Sequence, residues 1–243
     1  MLRLWRYVAL LLALQLAAAC SGGAPAENGQ ANAARAEAPR ADGKLVLAFG
    51  DSLFAGYQLG PNEGFAPALE RALEAAGTPA RVVNGGVSGD TTAAALQRLA
   101  FTLDGLPRAP DLVIVGLGGN DALRGIGPEE TRRNLTAILT ELQRRRIGVL
   151  LTGMLAPRNM GPDYTAAFDP IYPALARQFG AGLYPFFLDG VIARPELLLA
   201  DGMHPNARGI EAVVTRVAPR VRAALAERDS DPIRPAAAPR SSP

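Results

Sequence analysis

Ser52, Asp201 and His204 have the side-chain types that can act together as one reacting group. His204 is the single histidine of the chain and sits in Asp201-Gly202-Met203-His204-Pro205, while Ser52 stands in Gly50-Asp51-Ser52-Leu53 at the end of the first apolar run. A serine hydroxyl is a weak nucleophile until a base removes its proton. An imidazole base in turn needs a carboxylate to fix its tautomer and orientation. A lone histidine is more often an ordinary surface or satisfied core residue, so its surroundings must decide. Asp51 is the competing acid, but adjacent side chains on an extended turn diverge, so it is read as a loop-ordering group. Asp121, next to Asn120, is read the same way.

These groups are far apart in sequence and need a scaffold that brings them to one rim. Lys44–Phe49 is a continuous apolar run ending at Gly50, as expected of a parallel strand buried on both faces. Arg81–Val83, Asp111–Gly116 and Ile147–Leu151 repeat the signal, with a weaker instance at Ala181–Tyr184. Helical patterns lie between and after them, at Phe65–Ala76, Thr92–Leu103, Pro128–Arg146, Pro170–Phe179 and Asn206–Glu227. Such alternation argues for an α/β fold, a parallel sheet wrapped by helices. The hydrophobic share of 49% suffices for one full core at this length.

Ligands of open parallel sheets bind beyond the C-terminal strand ends, and the polar motifs fall there. Ser52 follows the first strand, Asn84-Gly85-Gly86-Val87-Ser88-Gly89-Asp90-Thr91 the second, and Gly118-Gly119-Asn120-Asp121 the third. Any one glycine-rich turn is weak evidence, since glycine serves tight turns generally. Four motifs in this order, with Asp201-Gly202-Met203-His204-Pro205-Asn206 as the last, resemble the SGNH, or GDSL, family of serine hydrolases. The resemblance runs from residue 44 to about 226. It is strongest to the bacterial branch of multifunctional thioesterases, lysophospholipases and arylesterases, through Ala55-Gly56-Tyr57, Gly116–Gly125 and Ile171–Ala176.

The resemblance implies a flavodoxin-like three-layer α/β/α sandwich and hydrolysis of carboxylic esters or thioesters. It implies Ser52 as nucleophile, His204 as base and Asp201 as its orienting acid. The oxyanion donors it implies are the backbone N–H groups of Ser52 and Gly89 and the amide of Asn120. The loop Met154–Gly161 corresponds to the border of the acyl pocket in that branch, which makes Leu155 and Pro157 candidate pocket residues. A carbohydrate deacetylase of the same superfamily is the rival enzyme, expected to have a polar, aromatic pocket. The residues flanking the motifs here, Leu53, Phe54, Leu117, Met154 and Leu155, are apolar, although core positions would be apolar too. No metal or other cofactor is expected: one histidine and one cysteine cannot build an ordinary zinc site, and no glycine-rich loop continues into a phosphate-binding Gly-Lys-Ser/Thr element.

The ends of the chain carry a different signal. Arg3 and Arg6 precede the apolar stretch Val8–Ala19, which is too short to span a bilayer and reads as a signal peptide over residues 1–19. Cys20 follows Leu16-Ala17-Ala18-Ala19, which resembles a bacterial lipobox and predicts lipidation of its thiol, with plain cleavage and secretion as the alternative. Residues 20–43 are rich in Ala, Gly and Pro and read as a flexible tether. The hydrolase domain is expected over 44–227 and a disordered tail over 228–243. Export to the cell envelope follows, with membrane contact through a lipid on Cys20. The net charge of +2, without a basic cluster, argues against nucleic acid as a partner. The Arg144-Arg145-Arg146 run reads as the cationic end of a helix. A small acyl ester or thioester is the expected partner, and a monomer the expected state.

Overall fold

The computed structural model describes residues 43–229. The segments expected to be a signal peptide, the Cys20 lipobox, a tether and a tail lie outside the described residues. Five strands form one parallel sheet: β1 (Lys44–Gly50), β2 (Ala80–Gly86), β3 (Leu112–Gly116), β4 (Gly148–Thr152) and β5 (Gly182–Tyr184), in the spatial order β2-β1-β3-β4-β5. Among the described residues eight α-helices accompany them: α1 (Ser52–Ala55), α2 (Phe65–Ala75), α3 (Thr92–Asp104), α4 (Gly119–Leu123), α5 (Pro128–Arg144), α6 (Pro162–Phe168), α7 (Ile171–Phe179) and α8 (Ala207–Asp229).

The strand order determines the layers. The chain leaves β1 in one direction to reach β2, then crosses back over β1 to β3 and continues in that direction to β5. Right-handed crossovers running in opposite directions put their helices on opposite faces. Accordingly α2 packs against α8 on one side, while α3 packs against α5 and α5 against α7 on the other. The sheet is thereby covered twice, and Val46, Leu47, Ala48 and Phe49 of β1, flanked by β2 and β3, are fully buried. Covering a phenylalanine in this way contributes about 1.5–3 kcal/mol.

Three of the strands end on glycine in register, Gly50 opposite Gly86 on one side and Gly116 on the other. A Cβ on Gly50 would fall 2.5 Å from the Phe54 ring, on Gly116 2.1 Å from the same ring, and on Gly86 2.3 Å from the backbone nitrogen of Ala55. The row is a seat without side chains on which α1 lies, so the helix that begins with Ser52 is set down onto the sheet. Phe54 locks it there, its ring centroid 4.9 Å from that of Phe65 and 5.0 Å from that of Phe187.

Several boundaries differ from the sequence expectation. β2 continues through Asn84-Gly85-Gly86 because β1 supplies a pairing partner for each of them, which outweighs their poor strand propensity. Asp111 precedes β3, and its carboxylate accepts the Leu45 N–H at 2.8 Å. α8 runs to Asp229, two residues past the expected domain end at 227. Arg228 donates to the Arg146 carbonyl at 2.6 Å and Asp229 pairs with Lys44, so neighbours hold both. The arginine run does close α5, but with specific partners: Arg144 and Arg145 both bond Glu141, holding its carboxyl at about 2, and Arg145 also reaches Asp104.

Candidate active site

Asp51 precedes α1 and accepts the Leu53 N–H at 3.0 Å, capping the short helix, while Gly56 ends it in the left-handed region at φ 81°. Ser52 is thus the first helical residue, directly beyond the end of β1. His204 reaches it from the other end of the sequence, with Nε2 2.9 Å from Ser52 Oγ. On the far side of the ring, Nδ1 is 2.7 Å from Asp201 Oδ2. The second carboxylate oxygen, Oδ1, accepts the backbone N–H groups of Met203 at 2.9 Å and His204 at 3.0 Å. These bonds, the one from the His204 backbone foremost, hold the Asp201 carboxyl down at about 2.

The loop that carries both residues is closed on itself. Leu199 N–H donates to the His204 carbonyl at 2.7 Å, and the Asn206 side chain donates to the carbonyls of Glu196 and Leu198. The same Asn206 accepts the Gly209 N–H at 3.0 Å in the first turn of α8, so the helix start fixes the loop. Tyr57 packs its ring on the imidazole with centroids 4.5 Å apart.

Gly89 and Asn120 arrive from the ends of β2 and β3. Gly89 takes φ 84° in the turn before α3, a conformation that suits a residue without a side chain. The Asn120 amide, on α4, donates to the Asp90 carbonyl at 2.9 Å, which leaves its second N–H for another acceptor. Both residues line, with Ser52 and His204, one cavity of about 590 Å³. A hydroxyl, an imidazole and a carboxylate in hydrogen-bonded series, beside N–H donors in an apolar cavity, can perform acyl transfer to serine.

Leu155 and Pro157 both line the cavity, as do Leu53 and Met154. Phe54 and Leu117 are core residues instead, each 1% exposed. The sequence reading missed the wall formed by Phe186, Leu188 and Ile192, which follows β5 and carries no motif. A cavity of about 650 Å³ at the opposite end of the sheet is lined by the starts of β3 to β5 and by α8, with no serine, cysteine or histidine among its residues.

Asp51 and Asp121 both point inward. Asp121 accepts the N–H of Thr92 at 2.9 Å and the hydroxyls of Thr92 and Thr131, tying α3, α4 and α5 together. Asp51 is 2% exposed, and burial pushes its carboxyl up to about 6 despite the bond from Leu53. An acid whose pKa is raised on folding binds its proton more tightly in the native state, so its contribution to stability falls as pH rises from about 4 to about 6. Asp51→Asn, which keeps the acceptor for Leu53, should remove that loss and raise stability at pH 7–8 by about 1–3 kcal/mol. Thermal unfolding of the two proteins from pH 4 to 8 checks this: the curves should converge at the acid end, and parallel curves would exclude the coupling.

The sequence profile of the GDSL-like lipase/acylhydrolase family matches residues 48–212. Esterase TesA of Pseudomonas aeruginosa is 37% identical over 186 residues, covering 76% of this chain and 92% of that protein. Thioesterase 1/protease 1/lysophospholipase L1 of Escherichia coli K12 is 38% identical over 169 residues, 70% of this chain and 78% of that protein. Among solved structures, AlinE4, an SGNH-hydrolase family esterase, superposes with a TM-score of 0.65 at 54% identity, covering 76% of this chain and 97% of its own. The match spans all four motifs, and the chain belongs to the GDSL-like lipase/acylhydrolase family.

Proposed function

We propose that Ser52, His204 and Asp201 form the catalytic triad of an ester- and thioester-bond hydrolase whose acyl chain lies in the apolar cavity. The observation that carries this is the unbroken series Ser52 Oγ to His204 Nε2 at 2.9 Å and His204 Nδ1 to Asp201 Oδ2 at 2.7 Å, opening on that cavity. His204 takes the hydroxyl proton as Ser52 Oγ attacks the carbonyl carbon. The imidazolium returns that proton to the departing alcohol or thiol, and His204 then activates water to release the acid. The negative oxygen of each tetrahedral intermediate is stabilised by the N–H groups of Ser52 and Gly89 and the Asn120 amide.

The wall formed by Leu53, Met154, Leu155 and Leu188 favours a hydrocarbon chain over a sugar ring. Each methylene moved from water into such a wall contributes about 0.8 kcal/mol. Across p-nitrophenyl esters from acetate to octanoate, kcat/KM should therefore rise roughly tenfold per two carbons until the cavity is full. Acyl thioesters and lysophospholipids should be cleaved as well. A preference for acetylated sugars over every longer ester would favour the deacetylase reading instead.

We further infer that the enzyme is exported and held at a membrane by lipid on Cys20, supported by the basic, apolar and lipobox-like order of residues 1–20. Among the described residues no helix is long and apolar enough to cross a membrane. Cys20→Ser should release the protein from the membrane fraction or stall its processing, while the domain from Lys44 stays active. Wild-type protein that takes up no labelled fatty acid and starts after Cys20 would replace anchoring by secretion.

A further inference from the structure

Arg98 lies on α3, outside the four motifs and away from the cavity lining. Its Nε is 2.6 Å from Asp90 Oδ2, and one terminal nitrogen donates to the Gly50 carbonyl at 3.0 Å. The guanidinium lies over the Phe49 ring, 4.3 Å from its centroid. Phe49 and Gly50 are the last residues of the strand that delivers Ser52, and Asp90 directly follows Gly89. The Asp90 carbonyl is the acceptor that orients the Asn120 amide, at 2.9 Å. One planar fork therefore joins the strand end before Ser52 to the turn that carries Gly89, and Asn120 is bonded to that same turn through Asp90.

We propose that Arg98 is a positioning residue that fixes the spacing of the Ser52, Gly89 and Asn120 donors, an inference that rests on the donor assignment made under Proposed function. The Val87–Asp90 turn depends on a few bonds from outside to hold it at that height, and the Arg98–Asp90 pair is the best covered of them. Its backbone contacts outside itself are the Val87 N–H to the Gly50 carbonyl at 3.0 Å, the Asn120 bond, and a bond from the exposed Arg124 guanidinium to the Gly89 carbonyl at 2.8 Å, and Val87, Ser88 and Gly89 are exposed. The ion pair is more than a surface contact, since the side chains of Arg98 and Asp90 are only 21% and 10% exposed. Charged partners this well covered are screened little and hold their geometry. Lysine could supply the charge but as a point, without the fork that reaches Asp90 and Gly50 together. Donors for a tetrahedral oxygen must be in place before the charge develops, and a displacement of about 1 Å can cost on the order of 10²-fold in rate.

The test is a kinetic cycle of Arg98→Met, Asn120→Ala and the double variant, with Arg98→Lys alongside. Asn120→Ala alone should lower kcat by about 10²- to 10³-fold. Arg98→Met should lower kcat by roughly 10- to 100-fold with KM changed less than about twofold, and Arg98→Lys by an intermediate amount. Because both changes act through one set of donors, the double variant should lose far less than the product of the single losses. Assays run well below the unfolding midpoint of each variant separate this from lost stability, and if Arg98→Met does not fold, Arg98→Lys and Asp90→Asn replace it in the cycle. Arg98 variants with unchanged kcat, or losses that multiply with that of Asn120→Ala, overturn the inference while leaving the donor assignment standing. An unchanged kcat in Asn120→Ala overturns the donor assignment itself, and the inference with it.

Discussion

Ser52→Ala is expected to lower kcat by about 10⁵-fold or more and to abolish covalent labelling by an organophosphonate, with the fold retained. The magnitude follows from removing the nucleophile of a unit whose members act together, since in such sites loss of one member costs nearly as much as loss of all. A residual rate over water should survive, because the Gly89 and Asn120 donors and the apolar cavity are untouched. Stability should change little: the Ser52 hydroxyl bonds the part-buried His204 ring at the cavity and no core group, and alanine suits the first turn of a helix. Ser88 is the competing hydroxyl, exposed on the same cavity. The only histidine in the chain is already bonded to Ser52, so Ser88 has no imidazole to activate it. Mass spectrometry of the labelled wild-type protein decides between them, and an adduct on Ser88 would reverse the assignment.

Why the site could be read from sequence, and the wall around it could not, comes down to distance along the chain. Three of the polar motifs are a few residues long and follow a strand, so alternation of strands and helices sufficed to place them on one rim, while the Asp201–His204 motif, in the loop before α8, was joined to them by its chemistry and the family resemblance. The seat beneath Ser52 needs Gly50, Gly86 and Gly116 in register, and register between strands so far apart is set by packing, not by any local pattern. For the same reason the sequence offered no way to pair Arg98 with Gly50, or Tyr57 with His204. Phe186, Leu188 and Ile192 belong to a loop without periodicity, and apolar loop residues read equally well as core. The Met154–Leu155 loop could be read only because it resembled a known branch. The short helices α1 and α4 escaped because they span one turn each, too few residues for an amphipathic repeat to show.

Asp201→Asn should cost about 10⁴-fold in kcat with KM little changed, although it replaces one oxygen by a nitrogen of nearly the same size. Asp201 uses both oxygens: Oδ1 accepts two backbone N–H groups, and Oδ2 faces His204 Nδ1. Asparagine has one acceptor for these two duties. If its oxygen keeps the backbone bonds, its NH₂ faces Nδ1, which must then be unprotonated, and the ring proton moves to Nε2, where it blocks acceptance of the Ser52 proton. If the amide turns over, the backbone bonds are lost and the loop loosens. The wild-type carboxyl is held at about 2, so it stays charged throughout the neutral range and keeps its hold on the Nδ1 proton there. Because His204 is the only histidine, the ¹⁵N imidazole spectrum of the whole protein reports its tautomer without assignment. In wild type the proton should reside on Nδ1, and in Asp201→Asn on Nε2. A variant that keeps the Nδ1 proton and loses less than about tenfold in kcat would show that Asp201 does not set the tautomer.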